Sequence, residues 1–259
     1  MVANVGLAPR LASPAYNWNT ITIGWAFAVI VAVYVSAGVS GAHLNPAVTI
    51  ALAVKRGFSW SKVPTYILGQ FVGAFLGALG VYLVYMEGLQ AAGMPNVWCT
   101  GPGSVFGQAF WGGTGGGSTG AYSLVNASIA EIVGTAVLLM GVLASGDERN
   151  LGLKFNMGPF LVGGTVLAIG LSLGGPSGYA INPARDLGPR IFGALVGTQG
   201  LFDGHLLAGR PGDHADHWRH PRCGDLRRFG HRSTASQERL IWLSSGPALQ
   251  VEAGPLSPR

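Results

Sequence analysis

Asn45-Pro46-Ala47 and Asn182-Pro183-Ala184 are two copies of one tripeptide, 137 positions apart (182 − 45), each at the edge of an apolar stretch. An asparagine side chain accepts the orphan N–H groups that begin a helix, and proline suits the first helical position because it has no N–H to leave unpaired. Each copy therefore reads as a helix start. A helix that starts inside a membrane aims unpaired N–H groups and a partial positive charge at whatever lies ahead of it. Two such starts meeting head to head make a polar, cation-repelling point at mid-bilayer. That is the chemistry of a selective pore rather than of bond breaking. Arg185, directly after the second copy, adds a fixed fork of donors where a buried charge is costly without a purpose. No nucleotide-binding loop, metal-ligand set or catalytic triad accompanies these residues, so enzyme activity is not expected and no cofactor is implied.

The elements that must hold two such helix starts are membrane helices, and the composition agrees. Hydrophobic residues make up 49% of the 259 positions and charged residues only 10%, while glycine is abundant at 42. Glycine is more frequent in membrane helices than in soluble ones because it lets backbones approach closely. Four apolar stretches read as spans: about 20–39, 64–85, 124–144 and 157–173, of which the third carries a single acid, Glu131. In the second, Gly69, Gly73 and Gly77 share one helical face and read as a close-packing seam. Two shorter apolar segments, 46–54 and 183–196, cannot span alone and read as half-helices opened by the tripeptides. Residues 1–17 show little charge and no sustained apolar core, so no cleavable signal peptide is expected. Cys99 and Cys223 suggest neither a disulfide framework nor a metal pair.

Charge sets the orientation. Lys55, Arg56 and Lys62 lie between the first two spans and Arg149 and Lys154 between the third and fourth, whereas 87–120 holds no lysine or arginine. By the positive-inside rule the charged loops are cytoplasmic and the glycine-rich loop is external. The first half-helix then enters from the cytoplasmic side and the second from outside.

The segments Gly41-Ala42-His43-Leu44-Asn45-Pro46-Ala47-Val48-Thr49 and Gly178-Tyr179-Ala180-Ile181-Asn182-Pro183-Ala184-Arg185-Asp186 resemble the two pore loops of the aquaporin, or major intrinsic protein, family. Asp186 after Arg185, with the long outer loop, resembles its aquaglyceroporin branch, the glycerol facilitators. The resemblance implies an all-α membrane protein built as an inverted repeat with two re-entrant half-helices, here about four full spans plus the two half-helices. It implies a passive channel for glycerol and other small uncharged solutes, with water, in the cell membrane, as a homotetramer with one pore per subunit. It also carries over a selectivity filter: Trp25, Gly170, Tyr179 and Arg185. The position that is a pore-narrowing histidine in water-selective members is Gly170 here, which leaves space. Trp25 and Tyr179 then form an apolar corner for a polyol's carbon edge and Arg185 donates to its hydroxyls. Asn45 and Asn182 offer further donors. His43 is expected to line the cytoplasmic part of the pore, and Glu131 and Asp186 to support it, Glu131 holding backbone donors of a loop.

The ends depart from that pattern. Met1 falls where the resemblance places an outer loop, and no apolar run of membrane length follows the second half-helix. The expected division is a channel domain at 1–203, incomplete, and a tail at 204–259. The tail carries eight of the 16 Lys and Arg residues (Arg210, Arg219, Arg222, Arg227, Arg228, Arg232, Arg239, Arg259) and five of the six histidines. Its abrupt change of composition reads as an out-of-frame stretch and predicts disorder. His214, His217, His220 and Cys223 recur every three residues, but Pro211 and Pro221 argue against the helix that would align them on a metal. Five interspersed acids dilute the arginine field, so neither a metal nor a nucleic acid is expected as a partner. The alternative to a working channel is a non-conducting fragment whose pore lacks two walls.

Overall fold

The computed structural model describes residues 1–7, 16–100, 124–147 and 155–202. All of these lie in one unit, Met1–Pro211, and the tail at 204–259 is outside them. The described residues form seven α-helices and no strand: α1 (Val2–Leu7), α2 (Trp18–Ser40), α3 (Pro46–Lys55), α4 (Val63–Ala91), α5 (Leu124–Ser145), α6 (Gly158–Leu173) and α7 (Pro183–Leu195).

Each boundary has a local cause. Asn17 opens α2 with a capping box, its side chain accepting from the Asn19 and Thr20 N–H groups while Thr20 Oγ1 accepts from the Asn17 N–H. Gly41 closes α2 in the left-handed conformation (φ 73°) and donates to the Ala37 carbonyl. A single 3-10 turn, Trp60–Lys62, leads into α4, which has proline in its first turn. The half-helices α3 and α7 begin at Asn45 and Asn182, which share φ −153°.

α2, α4 and α5 are long and apolar enough to cross a membrane. The fourth expected span forms as α6, but its 16 residues cover only about 24 Å against a hydrocarbon core of about 30 Å. Residues Phe155 and Asn156 before it hold positive φ, and Gly174 ends it, so neither flank extends the helix. Unanticipated is α1, which buries Val2, Ala3, Val5 and Leu7 and packs against α2 and α4.

α2 and α6 are the most closely joined pair. They run antiparallel, with Ile30 and Ala26 of α2 against Gly163 of α6, Thr22 against Gly170, and Trp18 against Gly174. α4 packs on α7, α5 on α6, and α3 on both α4 and α5. The stripe of Gly69, Gly73 and Gly77, expected as a seam, meets no neighbour among the described residues: a Cβ on any of them would find nothing there within 4 Å. α4 instead turns its Ala74 face to α7, where Gly188 lies against the Ala74 methyl and the Phe71 and Phe75 backbone.

Candidate functional site

The loops that precede α3 and α7 meet by a reciprocal exchange. Asn45 Nδ2 donates to the Ile181 carbonyl at 2.8 Å, and Asn182 Nδ2 donates to the Leu44 carbonyl at 2.9 Å. Each asparagine thus grips the residue preceding the other. Their Oδ1 atoms meanwhile cap the helices, Asn45 accepting from Ala47 N and Asn182 from Ala184 N and Arg185 N. A side-chain amide has two N–H donors, so the brace uses one from each asparagine. Both asparagines line a cavity of about 250 Å³.

The loops reach this arrangement through backbone that few residues adopt. Ala42 (φ 54°), Tyr179 (φ 43°) and Ile181 (φ 41°) all lie in the left-handed region, a cost of about 1–3 kcal/mol each that the surroundings must offset. For the second loop the offset is visible. Glu131 on α5 accepts from the Ala180 N–H at 2.8 Å and the Ile181 N–H at 2.7 Å, two charge-assisted bonds at Ile181 and at the residue between it and Tyr179. Asp186 points away from the cavity: it accepts from the Thr100 N–H (2.8 Å) and hydroxyl (2.7 Å) and pairs with Arg190 at 2.7 Å. Arg190 is itself buried and also donates to the Thr100 and Leu201 carbonyls.

Arg185, Trp25 and Tyr179 line the same cavity. The Arg185 guanidinium carbon sits 4.4 Å from the centre of the Trp25 ring, in cation–π contact. Trp25 Nε1 is buried and has no hydrogen-bond partner among the described residues. Gly170 does not line the cavity. A Cβ there would meet Tyr179 Cζ at 2.8 Å and Thr22 Cγ2 at 2.9 Å, so the space this glycine leaves is occupied by the Tyr179 ring rather than open to a solute. His43 also lies behind the cavity wall. It is buried, with its ring 4.5 Å from Phe58 and 5.1 Å from Tyr66, and its carbonyl accepts from Gln70 Nε2.

Comparison with known proteins places this geometry. The family profile described as Major intrinsic protein matches residues 1–218. The chain belongs to the major intrinsic protein family. It is 46% identical over 210 residues to a probable glycerol uptake facilitator protein of Thermotoga maritima, covering 78% of this chain and 80% of the relative. A glycerol uptake facilitator protein of Streptococcus pneumoniae is 40% identical over 208 residues, covering 79% and 80%. Among solved structures, the aquaglyceroporin from Plasmodium falciparum superposes with a TM-score of 0.65 at 30% identity, covering 80% of this chain and 83% of that one. This is an integral membrane protein of a channel family.

Within this major intrinsic protein, four residues outside the tripeptide segments and filter positions also shape the site. Gln70 donates to the His43 carbonyl and, at 2.8 Å, to Thr49 Oγ1, tying the first loop to α4. A glutamine inside an uncharged span was a readable signal. Arg190 is four residues after Asp186, the spacing of a helical ion pair. Thr100 and Trp18 carry no local mark, since their partners lie 86 and 152 positions away. Cys99, next to Thr100, is fully buried, and that burial pushes its thiol up to about 11, leaving it a neutral packing group at physiological pH.

Proposed function

We propose that the chain is a passive channel for glycerol and similar small uncharged solutes, with water, in the cell membrane, and that Trp25, Tyr179 and Arg185 form its filter. The carrying observation is the Trp25–Arg185 corner of the cavity. A guanidinium held over an indole face, beside an indole N–H that has no partner among the described residues, offers donors to a hydroxyl and an aromatic surface to carbon. A polyol presents both. The names of the relatives and of the superposed structure point to the same solute class. The two half-helix N-termini and Arg185 disfavour cations and a proton-conducting chain of water. Family resemblance supports a homotetramer with one pore per subunit.

Proteoliposomes carrying the full chain test the reading by stopped-flow swelling. Glycerol flux well above that of empty vesicles is expected; a folded protein without it would favour the non-conducting alternative. Gly170→His sharpens the test. The new side chain must push the Tyr179 ring out of its place, and glycerol flux should fall about tenfold more than water flux. An equal loss of both would show that the Gly170–Tyr179 contact does not set solute size.

A further inference from the structure

We infer that Trp18 is a specificity-determining positioning residue, which sets the width of the pore by fixing the Tyr179 ring from behind. This rests on the channel reading above. Trp18, Thr22 and Trp25 share one face of α2 at i, i+4 and i+7 spacing. Trp25 lines the cavity, Thr22 is fully buried against Gly170, and Trp18 reaches the end of α6. There its Nε1 donates to the Gly170 carbonyl at 3.0 Å and its ring covers Gly174. The same ring meets Tyr179 edge to face, with centroids 5.6 Å apart and planes at 76°.

Tyr179 is therefore enclosed on the side away from the solute. Gly170 and Thr22 form the floor of its notch and Trp18 the back wall. The backbone of Tyr179 is strained at φ 43° and the residue as a whole is 3% exposed, so its position depends on its neighbours rather than on its own preference. Neither glycine can substitute for the wall, and Thr22 is too short to reach over Gly174. A filter that separates polyols by length needs its aromatic side to hold still, because one methylene of width changes discrimination by about tenfold or more. Trp18 supplies that stiffness without touching the solute. Its indole N–H, bonded to the carbonyl of the Gly170 that floors the notch, locks the wall to α6.

The test measures swelling of proteoliposomes in a series of linear polyols of three, four and five carbons, and water flux from the same preparations. Trp18→Leu keeps an apolar side chain, though a smaller one, and loses both the ring edge and the N–H. The expected result is that Tyr179 retreats into the notch, so that the five-carbon to three-carbon flux ratio rises at least about threefold while water flux stays within about twofold. Trp18→Phe keeps a ring edge and should restore most of the discrimination. In a Tyr179→Ala background, Trp18→Leu should change the ratio no further, since the residue acts through the ring that is gone. A uniform loss of all fluxes, an unchanged ratio, or an additive effect in the double variant would overturn the inference. If Trp18→Leu does not fold, Trp18→Phe decides by itself against Trp18→Tyr: the tyrosine must shift the ratio at least about twofold from the phenylalanine, because its hydroxyl is directed into the Gly170–Gly174 contact. Wild-type vesicles that pass no polyol would instead overturn the channel reading, and this inference with it.

Discussion

The two pore loops share a tripeptide and a cap geometry, yet they are held by different chemistry. The second loop is fixed by charge: Glu131 grips two consecutive N–H groups, and Asp186 and Arg190 tie α7 to the Thr100 segment. The first is fixed by neutral groups. Gln70 bonds its His43 carbonyl and Thr49 hydroxyl, Tyr66 donates to the Ser40 carbonyl, and His43, Phe58 and Tyr66 pack ring to ring. The difference follows from cargo. The second loop carries Arg185 and two left-handed residues at Tyr179 and Ile181, whereas the first carries no charge and one such residue, Ala42. Placing a guanidinium to within a fraction of an ångström calls for strong, directional bonds.

Breaking the charged anchors should therefore hurt more than breaking the neutral ones. Glu131→Ala should have the largest effect. It removes two charge-assisted bonds worth about 1.5–3 kcal/mol each and leaves two N–H groups beside strained backbone without an acceptor. Thermal unfolding in detergent should show a loss of at least about 3 kcal/mol, and solute flux should vanish because Arg185 loses its place. Stability unchanged within about 0.5 kcal/mol would mean that the loop is held by something other than this carboxylate.

Asp186→Asn comes next. The change keeps an acceptor for the Thr100 N–H but removes the negative partner of the buried Arg190 guanidinium, which in a buried pair costs about 3 kcal/mol. Because Asp186 faces away from the cavity, discrimination among polyols should change little even as the unfolding midpoint drops. A large shift in solute preference at full stability would give Asp186 a part in the filter.

How much of this was readable beforehand depends on how far apart the partners lie. The helix starts at Asn45 and Asn182 are local events, written in two or three adjacent residues, and hydropathy located α2, α4 and α5 to within a few positions at most ends. The Gly170 position was readable as small, but its use was not. Whether a glycine opens a pore or admits a neighbouring ring is decided by Tyr179, nine residues on, and by Thr22 and Trp18 on another helix. The Gly69, Gly73 and Gly77 stripe meets the same limit: periodicity shows that a face is small and says nothing about what meets it. The grip of Gln70 on the first loop spans 27 positions and needed α4 to be placed before it had any meaning.

Gln70→Leu probes the neutral side of the comparison and should have the smallest effect. Leucine matches the volume, and the variant leaves the Thr49 hydroxyl its own bond to the Asn45 carbonyl. The His43 carbonyl loses Gln70 as a donor, an ordinary neutral hydrogen bond of about 1 kcal/mol, while Gln70 Oε1, buried and with no partner among the described residues, is removed to advantage. The net loss in unfolding free energy should therefore be about 1 kcal/mol or less, well under that of Glu131→Ala. Glycerol and water flux should fall together, since the first loop narrows the path for every solute alike. A loss as large as that of Glu131→Ala would show that both loops depend on a single dominant tether, and the assignment of charge to the loop that carries Arg185 would fail.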